Sequence, residues 1–293
     1  MDVEIIKKDG TSFLLSDYDI IVRDFRVQSP EILPVYGDID GRSGTVDYGA
    51  TLGRREIVVP FYLDANDLHD VALLRDKLFE LVIDVNPFYV RELRRVVYQT
   101  GDNKYVGGKR YRVRISNTFD VEQMFTYGFG ELVFETTDLP YAESLGTTQD
   151  IHKNGINADD DLWGFGMGLE AVDESLIYTH NATVNKPFFI YNAGNVSIHP
   201  FEQELKITIS NVRGSTERFQ ITNLTNGSRA RINVPLRSTD VVVYDGPNVT
   251  RNKLSFLRDT RKDFIELSPG WNNFRIYYCD SATISFDFPF YYL

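Results

Sequence analysis

Along most of the chain, apolar and polar residues alternate with a period of two. The alternating runs are rich in Val, Ile, Tyr, Phe and Thr, and Gly, Asn, Asp or Pro breaks them at short intervals. This pattern predicts short strands that each turn one face to a core, as in a β-sandwich or barrel. Strands are expected over 56–63, 110–117, 130–137, 204–211, 239–246, 273–279 and 282–290. Within 110–117, Tyr111, Val113 and Ile115 share one face, and Arg110, Arg112 and Arg114 share the other.

One segment departs from this period. Val71, Leu74, Leu78, Leu81 and Val85 recur at spacings of three or four, which predicts an amphipathic helix over about 67–84. Asn66 is placed to cap it, Asp67 and Asp70 suit its positive end, and Pro87 follows its close. The apolar stripe is read as core packing.

A chain of 293 residues favours two domains. The composition turns polar at 144–161, so the expected division is an N-terminal β domain over 1–145, a linker over 146–161 and a second β domain over 162–293. Asp159, Asp160 and Asp161 in that run are read as solvated, since no loop of spaced oxygen ligands surrounds them.

Glycines crowd the stretch VYGDIDGRSGTVDYGATLGRRE, and weak alternation persists through Val46, Tyr48 and Ala50. A phosphate loop is excluded, because Gly-Lys-Ser/Thr is missing and a strand follows where a helix would be needed. The stretch reads as a long hairpin or arm over 37–55, of the kind that adds to a neighbour's sheet edge. Its expected partner contacts are Gly41, Arg42, Gly44, Tyr48, Arg54 and Arg55, the arginines facing acidic surface on a neighbour.

Composition then narrows the function. The net charge of −11 argues against tight nucleic-acid binding, and no run is long and apolar enough for a membrane span. The opening MDVEIIKKDG has no apolar core of a secretory leader. The four histidines are scattered, no nucleophile elbow or nucleotide fingerprint occurs, and no cofactor or metal site is expected. The single cysteine, Cys279, lies in a strand pattern and reads as a half-buried structural thiol. The chain is therefore expected not to be an enzyme. Trp271, after a Pro-Gly turn, is a candidate glycan contact, with core anchoring the favoured alternative.

The order of these pieces carries a resemblance: DGRSGTVDYG and GRREIVVPFYL, the helix LHDVALLRDKLFEL, the strand GELVFETTDLPYAE, then LWGFGMGL, FFIYNAGNVSIHP and FIELSPGWNNFRIYY. The chain resembles the distal tail protein family of long-tailed, non-contractile phages that infect Gram-positive bacteria. The resemblance implies an N-terminal β domain, sandwich or split barrel with one helix, that assembles as a hexameric ring. It implies a C-terminal galectin-like or carbohydrate-binding-module-like sandwich. The implied role is a virion hub at the tail tip, made in the host cytoplasm. Its partners would be the tail tube protein, the tail-associated spike or lysin protein, the tape measure protein and receptor-binding proteins. A cell-wall glycan-binding module is the alternative function. NAGN at 192–195 then reads as a scaffold turn in which Gly194 supplies a positive φ.

Overall fold

The computed structural model describes residues 1–95, 105–156, 162–164, 166–169 and 176–293. The chain is mostly β and divides into two compact units, Met1–Ala142 and Glu143–Leu293.

In the first unit seven strands form an antiparallel run. Their order is Ser12–Leu14, Asp2–Ile6, Phe88–Arg95, Lys109–Ile115, Tyr127–Thr136, Glu56–Asp64 and Ile20–Val22. The longest ladder pairs Tyr127 with Asp64 through to Glu135 with Glu56. Alternation sets its inner face, so Val59, Phe61 and Leu63 meet Leu132 and Phe134 in one apolar core. Val113 is buried in that core, and Tyr111 and Ile115 pack against it on the same face.

The helix Asp70–Val82 covers this core with Leu78, Leu81 and Val82. It is shorter than the expected 67–84. Asn66 is not its cap; Asp67 accepts hydrogen bonds from the backbone of His69 at 2.7 Å and Asp70 at 3.0 Å. Ile83 already has extended backbone, so Val85 falls past the last turn and lies in solvent.

The second unit is a two-sheet sandwich. One sheet orders Thr179–Thr183, Ser281–Asp287, Lys206–Arg213, Val242–Asp245, Asn248–Arg251 and Leu254–Ser255. The other orders Phe188–Asn192, Gly270–Tyr277, Phe219–Asn223 and Arg229–Ile232. Phe274 joins them: its ring lies 5.5 Å from Phe188 in its own sheet and 5.0 Å from Phe286 in the opposite one.

The expected linker at 146–161 is structured through Asn154. Ala142–Thr147 is a strand that pairs with Pro289–Tyr292, and Thr148–Asn154 is a short helix with a Thr147/Asp150 capping box. The segment looks polar because its buried positions are small hydroxyl residues. Ser144 accepts from the Phe290 amide at 2.9 Å, and Thr148 donates to the Phe286 carbonyl at 3.0 Å. Asp159, Asp160 and Asp161 lie outside the described residues.

Gly194 is also corrected. It is not among the residues with positive φ. A Cβ there would stand 2.3 Å from the Tyr291 carbonyl oxygen, so the residue is glycine because another strand's backbone passes against it. Asn192 braces the turn, accepting from Gly194 N at 3.1 Å and donating to the Val196 carbonyl at 3.1 Å.

Candidate assembly interface

Ile32–Gly37 and Val46–Leu52 form a two-stranded hairpin that pairs with no other strand among the described residues. The expected arm therefore begins earlier than residue 37. Its root is fixed where the Glu31 amide donates to Arg54 O at 3.0 Å and the Gly53 amide to Glu31 O at 2.7 Å. Beyond the root, both outer edges carry free strand backbone.

The side chains make the same point. Ile32 is 67% exposed and Tyr48 66%, and Leu33, Val35, Tyr36 and Ile39 are exposed beside them. Apolar groups project from both faces of the ribbon, because Ile32 and Leu33 are successive residues of one strand, ahead of the irregularity between Pro34 and Tyr36. An isolated two-stranded ribbon is marginally stable in water, and an apolar patch of this kind marks a contact surface.

The expected contact residues separate into two groups. Gly41 and Gly44 stand at the tip with φ of 77° and 82°, and Arg42 and Tyr48 are exposed. Those four sit together on the hairpin. Arg54 and Arg55 stand at the root of the hairpin and are engaged within their own unit. The Arg54 guanidinium meets both Glu135 oxygens at 3.0 Å within its own unit. Arg55 is only 5% exposed and lies beside Tyr111, where its charge opposes the upward push of burial on the Tyr111 pKa. The apolar residues Ile32, Leu33, Val35 and Tyr36 were missed. The run ILPVYG shows no clean alternation because both of its faces are apolar.

Cys279 and His180 sit in structural surroundings. Cys279 is buried, and burial with the nearby Asp280 charge pushes its thiol up to about 11. His180 packs on Phe188 with ring centroids 4.9 Å apart, and burial lowers its pKa. Among the described residues no three His, Cys, Asp or Glu side chains gather as a metal site, and no helix is long and apolar enough to cross a membrane. Trp163 is buried against Phe290 at 6.0 Å. Trp271, favoured as a core anchor, is instead 44% exposed. Its odd spacing from the inward Phe274 is the signal that places it on the outer face.

Residues 8–136 match the family model of the phage tail protein RIFT-related domain. The free hairpin lies wholly inside the matched residues. Over the whole chain the fold is similar to that of a solved phage protein. The crystal structure of the Dit (gp 19.1) protein of phage SPP1 superposes with a TM-score of 0.62 at 13% identity, covering 99% of this chain and 98% of that one. That protein is described as a paradigm of the hub adsorption apparatus in phages infecting Gram-positive bacteria. A chain of the phage p2 baseplate in its activated conformation with Sr aligns over 98% of this chain and 97% of its own, at 9% identity and a TM-score of 0.39. No curated protein sequence matches the chain.

Proposed function

We propose that this protein is the structural hub of a phage tail tip, a virion component that acts by assembly and has no catalytic activity. RIFT-related domains close into a hexameric ring, and the 32–52 hairpin is the element that reaches the neighbouring subunit. The ring joins the tail tube to the tail-associated spike or lysin protein, and holds the tape measure protein and receptor-binding proteins around it.

The observation that carries this reading is the hairpin itself: two open strand edges and apolar side chains on both faces, in a domain of a phage tail family. A head-to-tail contact repeated by rotation buries such a ribbon in every subunit and closes without a leftover interface. Arg42 is the hairpin's own cation and can meet an acidic neighbour in a chain of net charge −11.

The test is the solution mass of the full chain, with residues 33–51 replaced by a short Gly-Ser linker as the variant. The wild type should scatter light as a six-subunit particle and the variant as a monomer with unchanged circular dichroism in its core. A wild-type monomer at every concentration, or a variant that assembles normally, would overturn the proposal.

A further inference from the structure

Asn154 and Asn226 are each followed by glycine. That dipeptide has a reactivity of its own. A backbone amide nitrogen can attack the side-chain carbonyl carbon of the residue before it and close a five-membered succinimide. Glycine has no Cβ to hinder that approach and bends freely toward it. The two sites therefore start with the same intrinsic chemistry, and the fold treats them differently.

Asn226 is tied down through both ends of its amide. Its Nδ2 donates to the Glu266 carbonyl at 3.0 Å and to Ser268 Oγ at 3.5 Å. Its Oδ1 accepts from the Ser228 amide at 3.0 Å and from the Ser228 hydroxyl at 2.7 Å. The Gly227 amide, the attacking group, donates to Asn223 O at 2.9 Å. This turn joins the paired strands Phe219–Asn223 and Arg229–Ile232. Attack there has to break several of these bonds at once, which makes the reactive geometry rare.

Asn154 is the last residue of the helix Thr148–Asn154, and it is exposed together with Gly155 and Ile156. Among the described residues its side chain has no hydrogen-bond partner. Gly155 has φ of 71° and ψ of −170°, and nothing lies within 4 Å of where its Cβ would be. The Gly155 amide is restrained by donating to Ile151 O at 2.8 Å. That bond closes the end of a seven-residue helix, where fraying costs little. The other end is fixed, since Thr148 and Gln149 donate to the Phe286 carbonyl at 3.0 and 2.6 Å. The helix thus opens from the Asn154 side.

We propose that Asn154 is a site of spontaneous deamidation in the folded protein, and that the fold protects Asn226. When the Gly155–Ile151 bond opens, the Gly155 nitrogen gives its proton to hydroxide and attacks Asn154 Cγ. A C–N bond forms, the side-chain nitrogen leaves as ammonia, and the succinimide links Asn154 to Gly155. Water then adds to one of the two ring carbonyls. Opening at Cγ leaves aspartate, and opening at the backbone carbon leaves isoaspartate, whose main chain runs through the former side chain. One water enters, one ammonia leaves, and nothing is oxidised or reduced. Either product sets a negative charge at the helix C-terminus, the end whose dipole favours cations. The isoaspartate also lengthens the backbone and misplaces the Gly155 amide, so the last turn stays open after modification. The reaction needs only this chain and water, and it does not depend on the hub reading.

The experiment stores the full-length protein in mildly alkaline buffer made with heavy-oxygen water and maps its peptides by tandem mass spectrometry. Residue 154 should gain one heavy oxygen in place of its amide nitrogen, in both the aspartyl and the isoaspartyl form. Residue 226 should stay unlabelled over the same period. In denaturing guanidinium both sites should react, at similar rates, because the fold is what separates them. Gly155→Ala should slow labelling at Asn154 severalfold, and Asn154→Gln should lose that signal while the protein keeps its circular dichroism. The proposal falls if the folded chain is labelled at neither site, if Asn226 reacts as fast as Asn154, or if Gly155→Ala reacts like wild type.

Discussion

The ring of Tyr48 lies across Gly37 on the exposed hairpin: a Cβ at Gly37 would stand 2.3 Å from Tyr48 Cε2. The missing side chain on one strand therefore sets the position of an exposed aromatic on the other. Gly37→Ala should displace the ring and weaken self-association, and Tyr48→Ala should do the same. Neither should move the thermal midpoint of the first unit's core, since the hairpin lies outside it. Light scattering over a dilution series, beside thermal circular dichroism, checks both halves of this expectation.

Gly194→Ala should act on stability. Its Cβ would meet the Tyr291 carbonyl oxygen and, at 2.9 Å, the Tyr291 amide, and neither can swing away as a side-chain end could. A loss of about 3 kcal/mol is expected in the second unit. Urea unfolding of the variant should show that unit melting earlier, with the first unit's transition in place. Superimposable curves would mean that the turn relaxes freely.

His180 makes the second unit sensitive to mild acid. Burial lowers its pKa below the ordinary 6.5, and hydrogen bonding to backbone carbonyls opposes this only in part. The unfolded chain therefore takes up the proton first as pH falls through 6.5, and the folded state loses stability toward its own lower pKa. The thermal midpoint should drop between pH 7 and pH 5.5, and His180→Asn should flatten that slope. An unchanged slope in the variant would assign the effect to other groups.

Cys279 should be inert while the protein is folded. With the thiol pushed up to about 11, the reactive thiolate is scarce at pH 8, and the sulfur is shielded. Labelling with a disulfide reagent should be slow in buffer and complete within seconds in denaturing urea. Rapid native labelling would show that the strand end opens readily.

How much of this was legible depended on whether the deciding contact was local. Period-two alternation located the strand that carries Phe61, the one that carries Phe134, and the paired faces of 110–117, because burial of one face imprints itself on neighbouring residues. The 3-or-4 spacing found the helix but overran its end, since Val85 fits the stripe by chance of spacing and the backbone had already turned extended. The linker expectation failed because Ser144 and Thr148 are buried polar residues, satisfied by strands far along the chain. Gly194 failed for a related reason: local turn chemistry suggested positive φ, while the actual constraint is the backbone of Tyr291. On the hairpin, Arg42 and Tyr48 were legible as exposed residues. Arg55 was not readable as buried, because its burial depends on the pairing of Glu56–Asp64 with Tyr127–Thr136.

The pairing of Ala142–Thr147 with Pro289–Tyr292 also sets a timetable. Ser144 and Phe290 are 146 residues apart, so at ordinary rates of translation the first strand waits roughly 7–30 s on the ribosome for its partner. The N-terminal unit meets no such delay, because all of its strands are already made. During the wait, the strand edge and the apolar residues later covered by Phe288 and Phe290 are open to solvent. The second unit is therefore the part of the chain that a chaperone would hold, and slowing synthesis before residue 289 should lower the yield of soluble protein more than slowing it before residue 142.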